Sequence, residues 1–147
     1  MSNDNNPIFG HGYHPEDIIK FLDEYPENEI SKTVIVKCRQ CGSNIFTCLI
    51  DAFEGVIEVG CTACGTKRFL LDVDEWGDED EPEYVECPLC EENKMNQFNI
   101  AVGFVYRASG DVKWVYIGNR CISCGVIESC GDWRINYGPT DEMESNV

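Results

Sequence analysis

Eight of the ten cysteines in this chain stand in four C-x-x-C pairs: Cys38/Cys41, Cys61/Cys64, Cys87/Cys90 and Cys121/Cys124. Two residues between thiolates let both sulfurs of a tight turn reach one tetrahedral ion, and two such pairs close a four-sulfur site. Eight sulfurs therefore make two sites. Gly follows three of the pairs, at Gly42, Gly65 and Gly125, whereas Glu91 follows the fourth. A glycine there takes a positive φ and turns backbone N–H groups toward the sulfurs. The same spacing occurs in disulfide frameworks and in thioredoxin-type redox motifs. Redox motifs usually come singly, at the start of a helix. Residues 1–7 carry no basic region followed by an apolar segment, so no secretory signal is read there and a reducing, cytoplasmic location is expected. Four pairs in series thus read as metal knuckles.

Three pairings of the knuckles are possible: neighbouring, nested or crossed. The intervening gaps are 19, 22 and 30 residues, and loop-closure entropy only mildly favours the neighbouring scheme. An internal repeat favours it more. Val36-Lys37-Cys38-Arg39-Gln40-Cys41 matches Val85-Glu86-Cys87-Pro88-Leu89-Cys90, and Gly60–Gly65 matches Arg120–Gly125. Between the knuckles the apolar period is two. In the first half Phe46, Cys48 and Ile50 alternate with Ile45, Thr47 and Leu49; residues 51–55 turn the chain, and Val56–Val59 returns it. In the second half Phe98, Ile100, Val102, Phe104 and Tyr106 share a face, Ala108–Asp111 turns, and Val112, Trp114 and Tyr116 alternate on the way back. A third strand is expected after each second knuckle, within Lys67–Val73 and Val126–Tyr137.

Knuckle, hairpin, knuckle and third strand make an arrangement that resembles tandem zinc ribbons of the rubredoxin-like type. The resemblance implies a small, metal-stapled, mostly β fold with two tandem ribbons, each holding one zinc. The first would use Cys38, Cys41, Cys61 and Cys64, the second Cys87, Cys90, Cys121 and Cys124. It implies little about function, because such ribbons serve many processes. Units of about 40–50 residues rarely hold a core without a staple. Iron is the rival metal, since the 30-residue gap is close to a rubredoxin spacing, although Glu91 departs from that pattern. Cys48 is read as a buried, inert thiol. Cys130 is either a core residue or an exposed thiol.

The organisation follows: residues 1–35 as an N-terminal arm with an amphipathic helix, 36–73 as the first ribbon, 74–84 as an acidic linker, 85–138 as the second ribbon, and 139–147 as an acidic disordered tail. Pro15, Glu16 and Asp17 suit a helix start, and Ile18, Ile19, Phe21, Leu22 and Tyr25 form an apolar stripe before Pro26. His11 and His14 are read as loop and cap residues.

The formal net charge is −16. Residues 38–71 and 87–138 are each formally neutral; residues 72–86 hold nine acids and no base. Such a run is a solvated linker or a docking strip for a basic partner surface, with Trp76 as anchor among Asp74, Glu75, Asp78, Glu79, Asp80, Glu81 and Glu83. No HExxH, Walker or GxSxG signature is present, and closed four-sulfur sites leave no open metal position, so no enzyme is expected. The expected function is a non-catalytic, zinc-binding interaction module for a basic partner, in one form an inhibitor or immunity protein of a nucleic-acid-acting enzyme. The alternatives are a nucleic-acid-binding ribbon protein and an electron carrier. The first would use Tyr106, Arg107, Lys113, Trp114, Tyr116, Arg120, Trp133 and Arg134, but a charge of −16 opposes phosphate binding. No apolar run is long enough for a transmembrane helix.

Overall fold

The computed structural model describes residues 9–24, 30–73, 75–78, 81–90 and 96–147. The described chain is mostly β, with one short helix. In order, it runs β1 (Gly10–His11), α1 (Asp17–Glu24), β2 (Lys32–Ile35), β3 (Phe46–Asp51), β4 (Val56–Cys61), β5 (Lys67–Phe69), β6 (Glu83–Tyr84), β7 (Phe98–Tyr106), β8 (Val112–Cys121) and β9 (Val126–Arg134). A 3-10 turn at Glu144–Asn146 ends it.

Each half is built on an antiparallel hairpin. β3 and β4 pair from Phe46↔Cys61 to Asp51↔Val56, and Gly55 closes their turn at φ +74°. β7 and β8 pair from Phe98↔Cys121 to Tyr106↔Val112 around Gly110. β5 adds to β4, and β9 adds to β8. The period of two explains the strands: Phe46, Cys48 and Ile50 are buried, while Thr47 and Leu49 are half-buried.

The halves are not separate beads. All nine strands belong to one sheet, ordered β1-β9-β8-β7-β3-β4-β5, and Phe46↔Phe98 is where β3 meets β7. β2 extends the same edge of β7, with Thr33 opposite Gly103 and Ile35 opposite Ala101. The sheet coils strongly, because β9 packs against β3 although β8 and β7 lie between them. A Cβ on Gly131 would stand 2.9 Å from Ile50 Cδ1.

β7 is buried on both faces. Ile100, Val102 and Phe104 belong to the large core, together with Phe46, Ile57, Val115 and Ile117. Ala101 and Val105 face the other way and pack with Ile18 and Leu22 of α1. The apolar stripe of the helix is thus covered by its own protein. The helix begins two residues after Pro15; the Asp17 carboxylate accepts from the N–H groups of Tyr13 and His14 at 2.8 and 3.1 Å and holds the turn before it. Gly118 lets the helix sit close, since a Cβ there would lie 2.6 Å from Ile18 Cγ2. Tyr25 and Pro26 fall outside the described residues.

Two expectations need correction. The segment 139–147, expected to be disordered, is packed. Met143 is fully buried and Val147 nearly so, both in the large core. Thr140 accepts from the Val112 N–H at 2.8 Å, Asn146 O accepts from the Leu71 N–H at 3.2 Å, and Lys32 pairs with Glu144 at 2.6 Å. The tail therefore ties the two halves together. Its two apolar side chains are too isolated to show a period, but each finds a core position. The acidic linker is likewise partly structured: Glu83 and Tyr84 form β6 and pair with Ile50 and Leu49.

Candidate metal centres

The four C-x-x-C turns close into two clusters. Cys38, Cys41, Cys61 and Cys64 form one, and Cys87, Cys90, Cys121 and Cys124 the other; within each, the sulfurs all lie within 4.8 Å of one another. The neighbouring scheme is therefore the one adopted. It follows from the hairpins: β3 and β7 start just after the first knuckle of each half, while β4 and β8 end in the second.

Three of the knuckles share one local geometry. Gly42, Gly65 and Gly125 take φ of +79°, +78° and +79°, a region that side chains with a Cβ avoid. Each returns its N–H to the first cysteine's carbonyl: Gly42 to Cys38 at 2.8 Å, Gly65 to Cys61 and Gly125 to Cys121 at 2.9 Å. Backbone N–H groups also face sulfur, as Gln40 does at 3.4 Å from Cys38 Sγ. Glu91, after the remaining knuckle, lies outside the described residues.

The sulfur spacings fit a tetrahedral ion. A tetrahedron with metal–sulfur bonds of about 2.3 Å has edges of about 3.8 Å. Cys38–Cys64, Cys41–Cys61 and Cys87–Cys124 are separated by 3.6, 3.5 and 3.5 Å. The thiols divide their protons unequally. The Thr66 hydroxyl, 3.2 Å from Cys64 Sγ, and the Thr66 N–H bring that thiol down to about 6. Burial pushes Cys87 up to about 12. Four acidic sulfurs this close cannot all ionise beside one another, and a bound cation relieves that repulsion. Each cluster could hold one metal ion, with four protein sulfurs and no further side chain among the described His, Cys, Asp and Glu residues. His11 lies in β1 and His14 in the turn before α1, and neither joins a cluster.

Of the proposed partner-contacting residues, Glu75, Asp78, Glu81 and Glu83 are exposed, while Asp74, Glu79 and Asp80 lie outside the described residues. Trp76 is half-buried. Its ring meets Phe69 edge-on at 5.5 Å, and its N–H donates to Glu58 at 3.4 Å. It is thus engaged on the first half of its own chain. Glu81 and Glu83 line an open cleft of about 490 Å³ with Ile50, Asp51, Ala52, Phe53, Glu54 and Cys130. Asp51 shapes this cleft, accepting from the N–H groups of Phe53 and Glu54 at 3.1 Å and of Glu81 at 2.9 Å. Phe53, at the hairpin tip, is 96% exposed. Sequence reasoning passed over Asp51, Phe53 and Glu54 as turn residues; nothing local marks them as neighbours of the acidic run.

Several of the aromatic and basic residues of the second half are engaged within the chain. Tyr116 is buried under the helix, and the Trp114 ring N–H is held by Asp132 at 2.9 Å. Arg107 donates to backbone carbonyls of Ile135 and Tyr137, and Arg120 to Gly12 O and Asn99. No described helix is long and apolar enough to cross a membrane. Compared with protein-family models, curated proteins and solved structures, the chain matches none.

Proposed function

We propose that this protein is a non-catalytic interaction module, stapled by two zinc ions in tandem ribbons that share a sheet, and that it docks on a partner with a basic surface. Zinc is the metal chosen because four thiolates in a tetrahedral, closed set suit it. Cys38, Cys41, Cys61 and Cys64 would hold one ion, and Cys87, Cys90, Cys121 and Cys124 the other. When bound, the ions supply folding energy and shape. Four protein sulfurs per ion leave no position for a substrate.

The observation that carries the interaction reading is the acidic cleft. Asp51, Glu54, Glu81 and Glu83 surround it, and Phe53 stands exposed at its rim. Carboxylates steer a basic partner, and an exposed ring offers it an apolar foothold. The acidic run before β6 adds to this field. An inhibitor of a nucleic-acid-acting enzyme is one form of this function, because such enzymes present basic faces. Direct nucleic-acid binding is less well supported, since Tyr116 is buried and Trp114 is held by a carboxylate.

Capture with the tagged, metal-loaded protein from its source extract, half of it nuclease-treated, tests the reading. A basic protein retained in both halves, and lost with Glu81→Gln/Glu83→Gln, is the expected result. Partners lost on nuclease treatment would overturn it in favour of nucleic acid.

A further inference from the structure

Cys48 and Cys130 belong to neither metal cluster, and the fold brings them together from distant parts of the chain. Cys48 lies on β3 among the large-core residues, 1% exposed. Cys130 lies on β9, which is not a sheet neighbour of β3. A β-bulge aims it. Ser129 stands opposite Gly118 and Gly131 opposite Ile117, so Cys130 is the extra residue. Stepping by twos from Val126 reaches position 130 on the large-core face, and stepping back from Trp133 reaches 131 on the same face. A bulge lets both stand there. Gly131 then admits Ile50 and Ala52, which would lie 2.9 and 3.4 Å from a Cβ. Cys130 packs against the core cluster that contains Cys48. Cys130 is half-buried and lines the open cleft beside Ile50, the side from which a small oxidant would approach.

We propose that Cys48 and Cys130 are a redox-active dithiol that a peroxide converts to a disulfide, tying β9 to β3 while both metal clusters stay intact. The Cys130 thiol sulfur attacks a peroxide oxygen and gives up its proton as it does so. A sulfur–oxygen bond forms, the oxygen–oxygen bond breaks, and the leaving oxygen takes the thiol proton away as water. The Cys48 sulfur then attacks the Cys130 sulfenic acid. A sulfur–sulfur bond forms, the sulfur–oxygen bond breaks, and a second water carries off the Cys48 proton. Two electrons have passed from the two sulfurs to the peroxide. The neighbouring Cys48 and burial push the Cys130 thiol well above its usual range, so Cys130 rests protonated and reacts slowly.

The test is titration of the full, zinc-loaded chain with hydrogen peroxide, followed by denaturation with chelator, alkylation and peptide mapping. The expected product has eight of the ten cysteines alkylated, a cross-link between the peptides of Cys48 and Cys130, and unchanged zinc content. Cys48→Ser and Cys130→Ser should each abolish the cross-link and keep both zinc ions. The proposal is overturned if Cys48 and Cys130 are recovered as free thiols at doses that already oxidise knuckle cysteines and release zinc. A Cys130 oxidised beyond the sulfenic acid with no link to Cys48 would overturn it equally.

Discussion

Removing one metal centre should unfold both halves together. The chosen perturbation is Cys41→Ser with Cys64→Ser, because both side chains are exposed and their loss costs little packing. A structural zinc site contributes about 10–16 kcal/mol of coupled folding energy. A whole domain is usually stable by only about 5–15 kcal/mol. Loss of the first site therefore exceeds what the rest of the chain holds in reserve. The second half cannot stand aside, since β3 joins β7 at Phe46↔Phe98, and Phe46, Ile57, Phe98 and Ile117 share one core. Tail residues Met143 and Val147 are buried in that same core. Trp114 and Trp133 report on the second half, and metal content reports on the remaining site. The expected result is loss of tryptophan emission structure and of β circular dichroism in a single transition, with fewer than one metal ion retained. A variant that keeps one metal ion and a native Trp114/Trp133 signal, melting separately, would refute the shared-core reasoning.

Other outcomes follow from single contacts. Gly118→Ala places a Cβ 2.6 Å from Ile18 Cγ2, and should lower stability by about 1–3 kcal/mol, read as a shifted urea midpoint with an unchanged slope. Met143→Ala should cost about 2–5 kcal/mol, since the side chain is fully buried; a cost below about 0.5 kcal/mol, the range of an exposed site, would show that the tail is not docked. Lys32 and then Tyr106 hold the Glu144 carboxyl below its ordinary value of 4.5. A lowered carboxyl stabilises the fold above the unfolded-state value and loses that contribution as pH falls through the folded one. Stability should thus drop between about pH 5 and lower values, and Glu144→Gln should flatten that part of the profile. Neutralising Asp78, Glu79, Asp80 and Glu81 together should slow association with a basic partner and flatten its salt dependence, measured by stopped flow; unchanged rates at low salt would remove the run from the interface.

What the sequence determined by itself is what short-range chemistry encodes. Two-residue spacing assigned the knuckle cysteines, their glycines marked the positive-φ turns, and the period of two marked both hairpins and the residues that face the core. The internal repeat pointed to the neighbouring pairing of knuckles. The stripe of Ile18 and Leu22 marked the helix, and a local polar contact at Asp17 moved its start. The tertiary structure alone decided how the halves meet. Joining β3 to β7, seating Met143 and Val147, turning Trp76 onto Phe69 and bringing Cys48 to Cys130 all rest on packing between residues far apart in the chain. Such packing leaves no periodic trace in short polar segments. A linker rich in carboxylates and a nine-residue tail read as solvated because their apolar residues are few; Trp76, Met143 and Val147 are nevertheless buried or half-buried once a distant part of the chain supplies the other side of the contact.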